Sequence, residues 1–225
     1  MSNLLGIDTS TEACTVALRY NDQTWQQTVP QKQHADRLLG MIDDLFAQVG
    51  IGLHQLDAIV WGKGPGMFTG LRIGAGVVQG LAYASDLPVI PVSSLAVLAQ
   101  AEPADKTLAA MDARMGQVYW CAFARNGKGE LVPINEERVE DPRMVALDDP
   151  GPFTGVGPGW DVYHEHLVQA LGPKLADWKP GRVPDGGALL SLGEQALQRG
   201  ETVTASDAIP TYVRDDVAVK QVPTT

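Results

Sequence analysis

The sequence predicts an α/β protein of two similar lobes, residues 1–104 and 105–225, each a mixed sheet flanked by helices. Three observations predict it. Short apolar runs of strand length alternate with segments of helical period. Each half of the chain begins with three strand-like runs joined by polar turns, a meander rather than a β–α–β start. Each half then passes into helices. The 225 residues suffice for one large domain or two small ones.

In the first half, residues 4–8 form an apolar run ending in the polar turn "DTST", and 13–19 and 23–29 are the next two strands, joined through "YNDQ". A helix is expected over 35–49, because Leu38, Ile42, Leu45, Phe46 and Val49 recur at helical spacing and Gly50 stops it. A buried strand at 56–61, a glycine-rich stretch, a helix over 68–85, a strand at 88–92 and a helix from Ser93 complete the lobe. In the second half, 107–112, 117–124 and 131–139 are strands, with "NGKGE" as a hairpin turn. A further strand lies at 153–156, with helices at 160–170 and 188–199. The tail "PTYVRDDVAVKQVPTT" reads as an ordered crossing segment, returning towards the first lobe, and then a loose end.

Composition narrows the function classes. The net charge of −10 repels a phosphate backbone, and no basic patch compensates it. Any nucleic acid is expected to be held by another protein. No apolar run is long enough to span a bilayer, and the first residues read as a strand rather than a signal segment. Cys14 and Cys121, far apart in apolar surroundings, fit two buried thiols in a reduced, cytoplasmic protein.

Four stretches invite a chemical reading. In "GIDTST", Asp8, Thr9 and Ser10 end a strand; such a turn can offer donors to a phosphate, or simply cap itself. "GKGPGMFTG" fits neither the G-x-G-x-x-G pattern nor a Gly-Lys-Ser/Thr phosphate loop. Its Gly-Pro-Gly is a turn, and Thr69 is placed to cap the helix after it. "DARMGQVY" is a polar turn between strands that would touch a ligand or the other lobe. "TGVGPGW" is a second glycine loop, whose Gly157 allows backbone near a ligand or merely turns a strand into a helix. The histidines are not at metal-ligating positions, so no metal is expected, and no nucleophile stands beside a base.

The helix over 68–85 is more informative. Leu71, Ile73, Val77, Val78 and Leu81 share an apolar face expected to pack on the sheet. The other face carries Arg72, Ala75, Gly76, Gln79, Gly80 and Tyr83, with one charge only. Glycine inside a helix costs about 1 kcal/mol relative to alanine. Gly70, Gly74, Gly76 and Gly80 therefore need a reason, and the close approach of another backbone supplies one.

The stretches "LLGIDTSTEACTVAL", "GKGPGMFTGLRIGAGVVQGLA", "VIPVSSLAVLA", "MDARMGQVYW" and "PTYVR" follow one another over nearly the whole chain in the order and spacing of the bacterial TsaB (YeaZ) family, which the chain resembles. The resemblance implies an actin-like ATPase fold, ribonuclease H-like in its sheets. It implies a part in making N6-threonylcarbamoyladenosine on tRNA, using threonylcarbamoyl-AMP. The partners it implies are TsaD, the related catalytic subunit, and TsaE, an ATPase. The chain is expected to pair with TsaD, or with itself when alone, and to meet tRNA only through the complex. Pairing would use the first-lobe helices, through Leu38, Met41 and Ile42 and through Arg72, Ala75, Gly76, Gln79, Gly80 and Tyr83. TsaD carries a metal-binding His-x-x-x-His where this chain has Ser94 and Leu98, which cannot replace two imidazoles, so a non-catalytic subunit is expected. Asp8, Thr9 and Ser10 match an ancestral phosphate loop, with Gly157 across the cleft. No cofactor is then required, with at most weak ATP or ADP binding at the complex interface. The alternative is a nucleotide-binding or nucleotide-hydrolysing enzyme with its own site at Asp8, Thr9, Thr69 and Gly157.

Overall fold

A computed structural model describes residues 1–30 and 34–213. The first sheet contains β1 (Leu4–Asp8), β2 (Ala13–Tyr20), β3 (Gln23–Pro30), β4 (Ala58–Gly62) and β5 (Val89–Val92). Between and after them come α1 (His34–Val49), α2 (Phe68–Ser85) and α3 (Ser94–Gln100). The second sheet contains β6 (Lys106–Asp112), β7 (Val118–Arg125), β8 (Leu131–Pro133), β9 (Arg138–Glu140), β10 (Phe153–Val156) and β11 (Leu175–Lys179), with helices α4 (Pro158–Leu171) and α5 (Gly186–Gln198).

The two sheets share one plan. The first runs β3-β2-β1-β4-β5 and the second β8-β7-β6-β10-β11. Counted from the start of each half, both run third, second, first and then on to the half's last two strands; the second half carries one strand more, β9, which pairs with β7 off this path. In both, the meander pairs are antiparallel and the two outer pairs parallel. A parallel neighbour needs a crossover, and helices α2 and α4 provide it.

Two strand expectations change. The single strand at 131–139 is broken: β8 and β9 both pair with β7, at its opposite ends. Pro133 has no N–H to continue the ladder. In the gap the side chain of Asn135 accepts from the backbone of Ala122 at 2.9 Å and takes over a strand's task. The second change is an additional strand, β11. Its sequence, LADWK, mixes Asp and Lys with apolar residues, as suits an edge strand exposed along part of its length.

Each lobe also borrows a helix from the other half of the chain. One face of the first sheet packs on α1 and α2 through Ile7, Val16, Leu18, Ile59 and Trp61. Its other face packs on α5, where Leu189, Leu190 and Leu192 meet Leu4, Val60 and Ile90. Conversely, Leu95 and Leu98 of α3 pack on the second sheet against Ala109, Met111 and Val156. Thr15 donates its hydroxyl to the Pro184 carbonyl at 2.9 Å, and Arg19 pairs with Glu194, so α5 is tied to β2 by polar contacts as well. After α5 the chain pairs once with β5, Val89 opposite Val203, and runs on beside α2 as far as the described residues go. The rest of the tail read from the sequence, 214–225, lies outside them. Among the described residues no helix is long and apolar enough to cross a membrane.

Candidate interface on α2 and the buried turn beneath it

β1 ends at Asp8, and the turn that follows is buried: Asp8, Thr9 and Ser10 all lie inside the molecule. Asp8 accepts from the Ser10 backbone at 2.9 Å and the Ser10 hydroxyl at 2.6 Å with one oxygen, and from the Ser94 hydroxyl at 2.8 Å with the other. Thr9 donates to the Gly70 carbonyl at 2.8 Å. The backbone of Met67 donates to the Ser10 carbonyl at 2.7 Å. The turn's side chains are thus spent on the fold itself.

The glycines explain how the turn fits. A methyl group at Gly62 would run into the Asp8 carboxylate, at Gly66 into the Ser10 carbonyl, at Gly70 into the Thr9 carbonyl and at Gly74 into the Thr9 hydroxyl. These four glycines, spaced every four residues, are the close-approach row, and the approaching backbone is the chain's own. Gly76 and Gly80 are different: nothing lies within 4 Å of a methyl added to either.

This separates the predicted face of α2 into parts. Leu71, Gly74, Ala75, Val78 and Ala82 are buried. Ile73, Val77 and Leu81, expected on the sheet, are only partly buried at the edge of the same core. Ala75 therefore leaves the expected contact stripe; it lies in the core, 6% exposed. Leu38, Met41 and Ile42 of α1 are corrected for the same reason, since all three are core residues under the first sheet. Thr69 does not cap α2: the cap position is Met67, with no side-chain bond, and Thr69 is exposed in the first turn.

What remains on the outside is Arg72, Gly76, Gly80 and Tyr83, at helical spacing of three to four. Tyr83 is 86% exposed. Gln79 is half-buried and donates to the Ala208 carbonyl at 3.1 Å, so the chain's own C-terminal segment covers it. That segment also hydrogen-bonds Lys63 through Thr211 at 2.9 Å. Tyr212 sits against Phe68, ring centres 5.6 Å apart, while the Arg72 guanidinium lies 3.6 Å over the Phe68 ring. The stripe is thus bounded on one side by a short aromatic cluster that the sequence reading did not foresee.

The remaining candidates fall near the cleft between the sheets. Ser94 is buried and held by Asp8, and Leu98 is buried against the second sheet. No three His, Cys, Asp or Glu side chains among the described residues are grouped to hold a metal ion. Gly157 caps α4 at φ 101° and packs on the Ala110 carbonyl. Its neighbour Pro158 and Ser10 line one cavity of about 320 Å³, with Met67, Asp112 and Arg114. The "DARMGQVY" turn reaches across: Arg114 pairs with Asp112 at 2.9 Å and with Glu12 of the first lobe at 3.3 Å. Arg114, Met115 and Gly116 all have positive φ, a tight turn. The thiols are inert by burial. Burial and the nearby Asp8 push Cys14 up to about 11, and burial and Glu137 push Cys121 up to about 12.

Comparison with known proteins gives consistent matches. Residues 24–163 match the family model of TsaD, the tRNA N6-adenosine threonylcarbamoyltransferase. The tRNA threonylcarbamoyladenosine biosynthesis protein TsaB of Haemophilus influenzae is 39% identical over 98% of this chain and 97% of its own length. That of Escherichia coli is 37% identical over 98% of each. The solved structure of YeaZ from Pseudomonas aeruginosa superimposes with a TM-score of 0.87 at 43% identity, covering 94% of this chain and all of that one.

Proposed function

The chain belongs to the TsaB family of tRNA threonylcarbamoyladenosine biosynthesis proteins, and we propose that it serves there as a non-catalytic subunit of a complex with TsaD. The observation that carries the reading is the outer stripe of α2. A solvated helix face normally bears Glu and Lys. This one offers Arg72, two glycines with open space above them and a Tyr83 that is almost fully exposed. Such a surface loses little water-loving charge when covered, and its aromatic anchor suits a protein partner. The stripe would pack on a helix of TsaD, steady its fold and position it for TsaE and tRNA; without TsaD, a second copy would take the place. Ser94 and Leu98 support the non-catalytic part, because one is committed to Asp8 and the other to the core. The work would proceed in the cytoplasm and without a bound cofactor, since the side chains of the Asp8 turn are used internally.

Replacing Gly76 by Leu tests this. The added side chain enters open space on the lone chain, so the monomer should fold with an unchanged circular dichroism spectrum. Co-purification with TsaD should fall at least tenfold, and threonylcarbamoyladenosine formation with purified partners should fall with it. Full-yield co-purification of the variant would remove α2 from the interface.

A further inference from the structure

A cavity of about 700 Å³ lies apart from the α2 stripe and the Asp8 turn. It lies on the α5 side of the first sheet, the side away from α1 and α2, where α3, α5 and the β8–β9 break meet. The stretch between β8 and β9 forms one wall of this trough, since Ile134, Asn135, Glu136 and Glu137 all line it. Its walls are apolar, from Val92, Phe123, Leu131, Ile134 and Leu192.

The charged groups that line the trough are three glutamates, Glu136, Glu137 and Glu201, and one arginine, Arg199. Glu137 is half-buried, and the Ser93 hydroxyl donates to it. Ser93 is itself fixed as the cap of α3, accepting from the Ala96 backbone at 3.1 Å. One carboxylate oxygen is therefore held in place. Arg199, at the rim, is already paired with Glu201 at 2.7 and 2.9 Å. Among the described residues neither Glu136 nor Glu137 has an ion-pair partner. Burial holds the Glu137 carboxyl above the usual carboxylate range, against the opposing effects of the Ser93 bond and the charge of Lys63. An anion would be repelled here. A wholly apolar ligand would cover a carboxylate and give it no partner, which is costly. A flexible chain of methylene groups with ammonium ends meets both demands, one end on Glu137 and one towards Glu136 at the rim.

We infer that this trough binds a small aliphatic polyamine, with an ammonium group on Glu137 and its methylenes along Ile134, Phe123 and Leu192. The test is calorimetric titration of the full chain with spermidine. A chain of net charge −10 attracts any polycation weakly, so the comparison among variants decides. Glu137→Gln is expected to weaken saturable binding about tenfold or more, as a buried charged hydrogen bond requires. Glu136→Gln, exposed at the rim, should weaken it about threefold, and it carries the test even if the Glu137 variant folds poorly. Asp43→Asn on α1 removes the same charge elsewhere and should leave it unchanged, and 1,5-pentanediol should not bind. Absence of saturable binding, or an equal loss in Asp43→Asn, overturns the assignment.

Discussion

Two rows of glycine on one helix have opposite reasons. At Gly70 and Gly74 a methyl group would meet Thr9 atoms directly, so alanine must push the β1 turn away from α2. Overpacking of this kind costs about 1–3 kcal/mol. At Gly76 and Gly80 the space is open, and alanine should stabilise the lone chain by about 0.5–1 kcal/mol through helix propensity. Urea denaturation of the four single variants checks this, and equal effects in both rows would refute the distinction. The rows were legible in part. Spacing of four residues is printed in the sequence, but what lies above each glycine depends on how far the helix is rotated on the sheet. Glu137 gives a second residue-scale expectation. Its folded-state pKa lies above the ordinary 4.5, so folding binds the proton more tightly than the unfolded chain does. The stability it contributes is complete below that value and is lost as pH rises through the folded-state value. Glu137→Gln should therefore remove part of the fall in Tm between pH 4.5 and neutrality, read from melting curves across that range.

At the scale of elements, periodicity did most of the work. The helix expected over 68–85 is α2, Phe68–Ser85, to the residue, because apolar spacing and a preceding Gly-Pro-Gly turn agree. Its rotation is not legible because four of the six buried positions, Gly70, Gly74, Ala75 and Ala82, carry little hydrophobic signal beside Leu71 and Val78, whereas Ile73, Val77 and Leu81 carry much and sit at the edge. β11 was missed since an edge strand is not required to be apolar, and the β8–β9 break because Asn135 imitates backbone, which composition does not reveal. The Asp8 turn was found, yet its burial depended on α2 lying over it, a long-range fact. The C-terminal strap on α2 has its own test. Gln79→Ala removes the bond to the Ala208 carbonyl and should cost about 1 kcal/mol. Limited proteolysis should show faster cleavage near 208–212 in that variant, while an unchanged pattern would mean the aromatic contacts alone hold the strap.

For the molecule as a whole, the exchange of helices matters more than the resemblance of the lobes. The sequence suggests a division near residue 104, and the repeated strand order agrees with two units of one plan. Yet the first sheet receives α5 from the second half of the chain, and the second receives α3 from the first half. Residues 1–104 alone would expose the face of β1, β2, β4 and β5 that α5 covers. That fragment should be unfolded or aggregated by circular dichroism and light scattering, and co-expression with 105–225 should recover soluble protein. A soluble, cooperatively melting 1–104 would show that the lobes are independent. The exchange also sets the order in which the protein can be made. β1 to β5 leave the ribosome before α5, so the first sheet is synthesised before its second cover exists. Nascent chains are thus committed to waiting half-dressed, with an apolar sheet face to be sheltered until α5 has emerged.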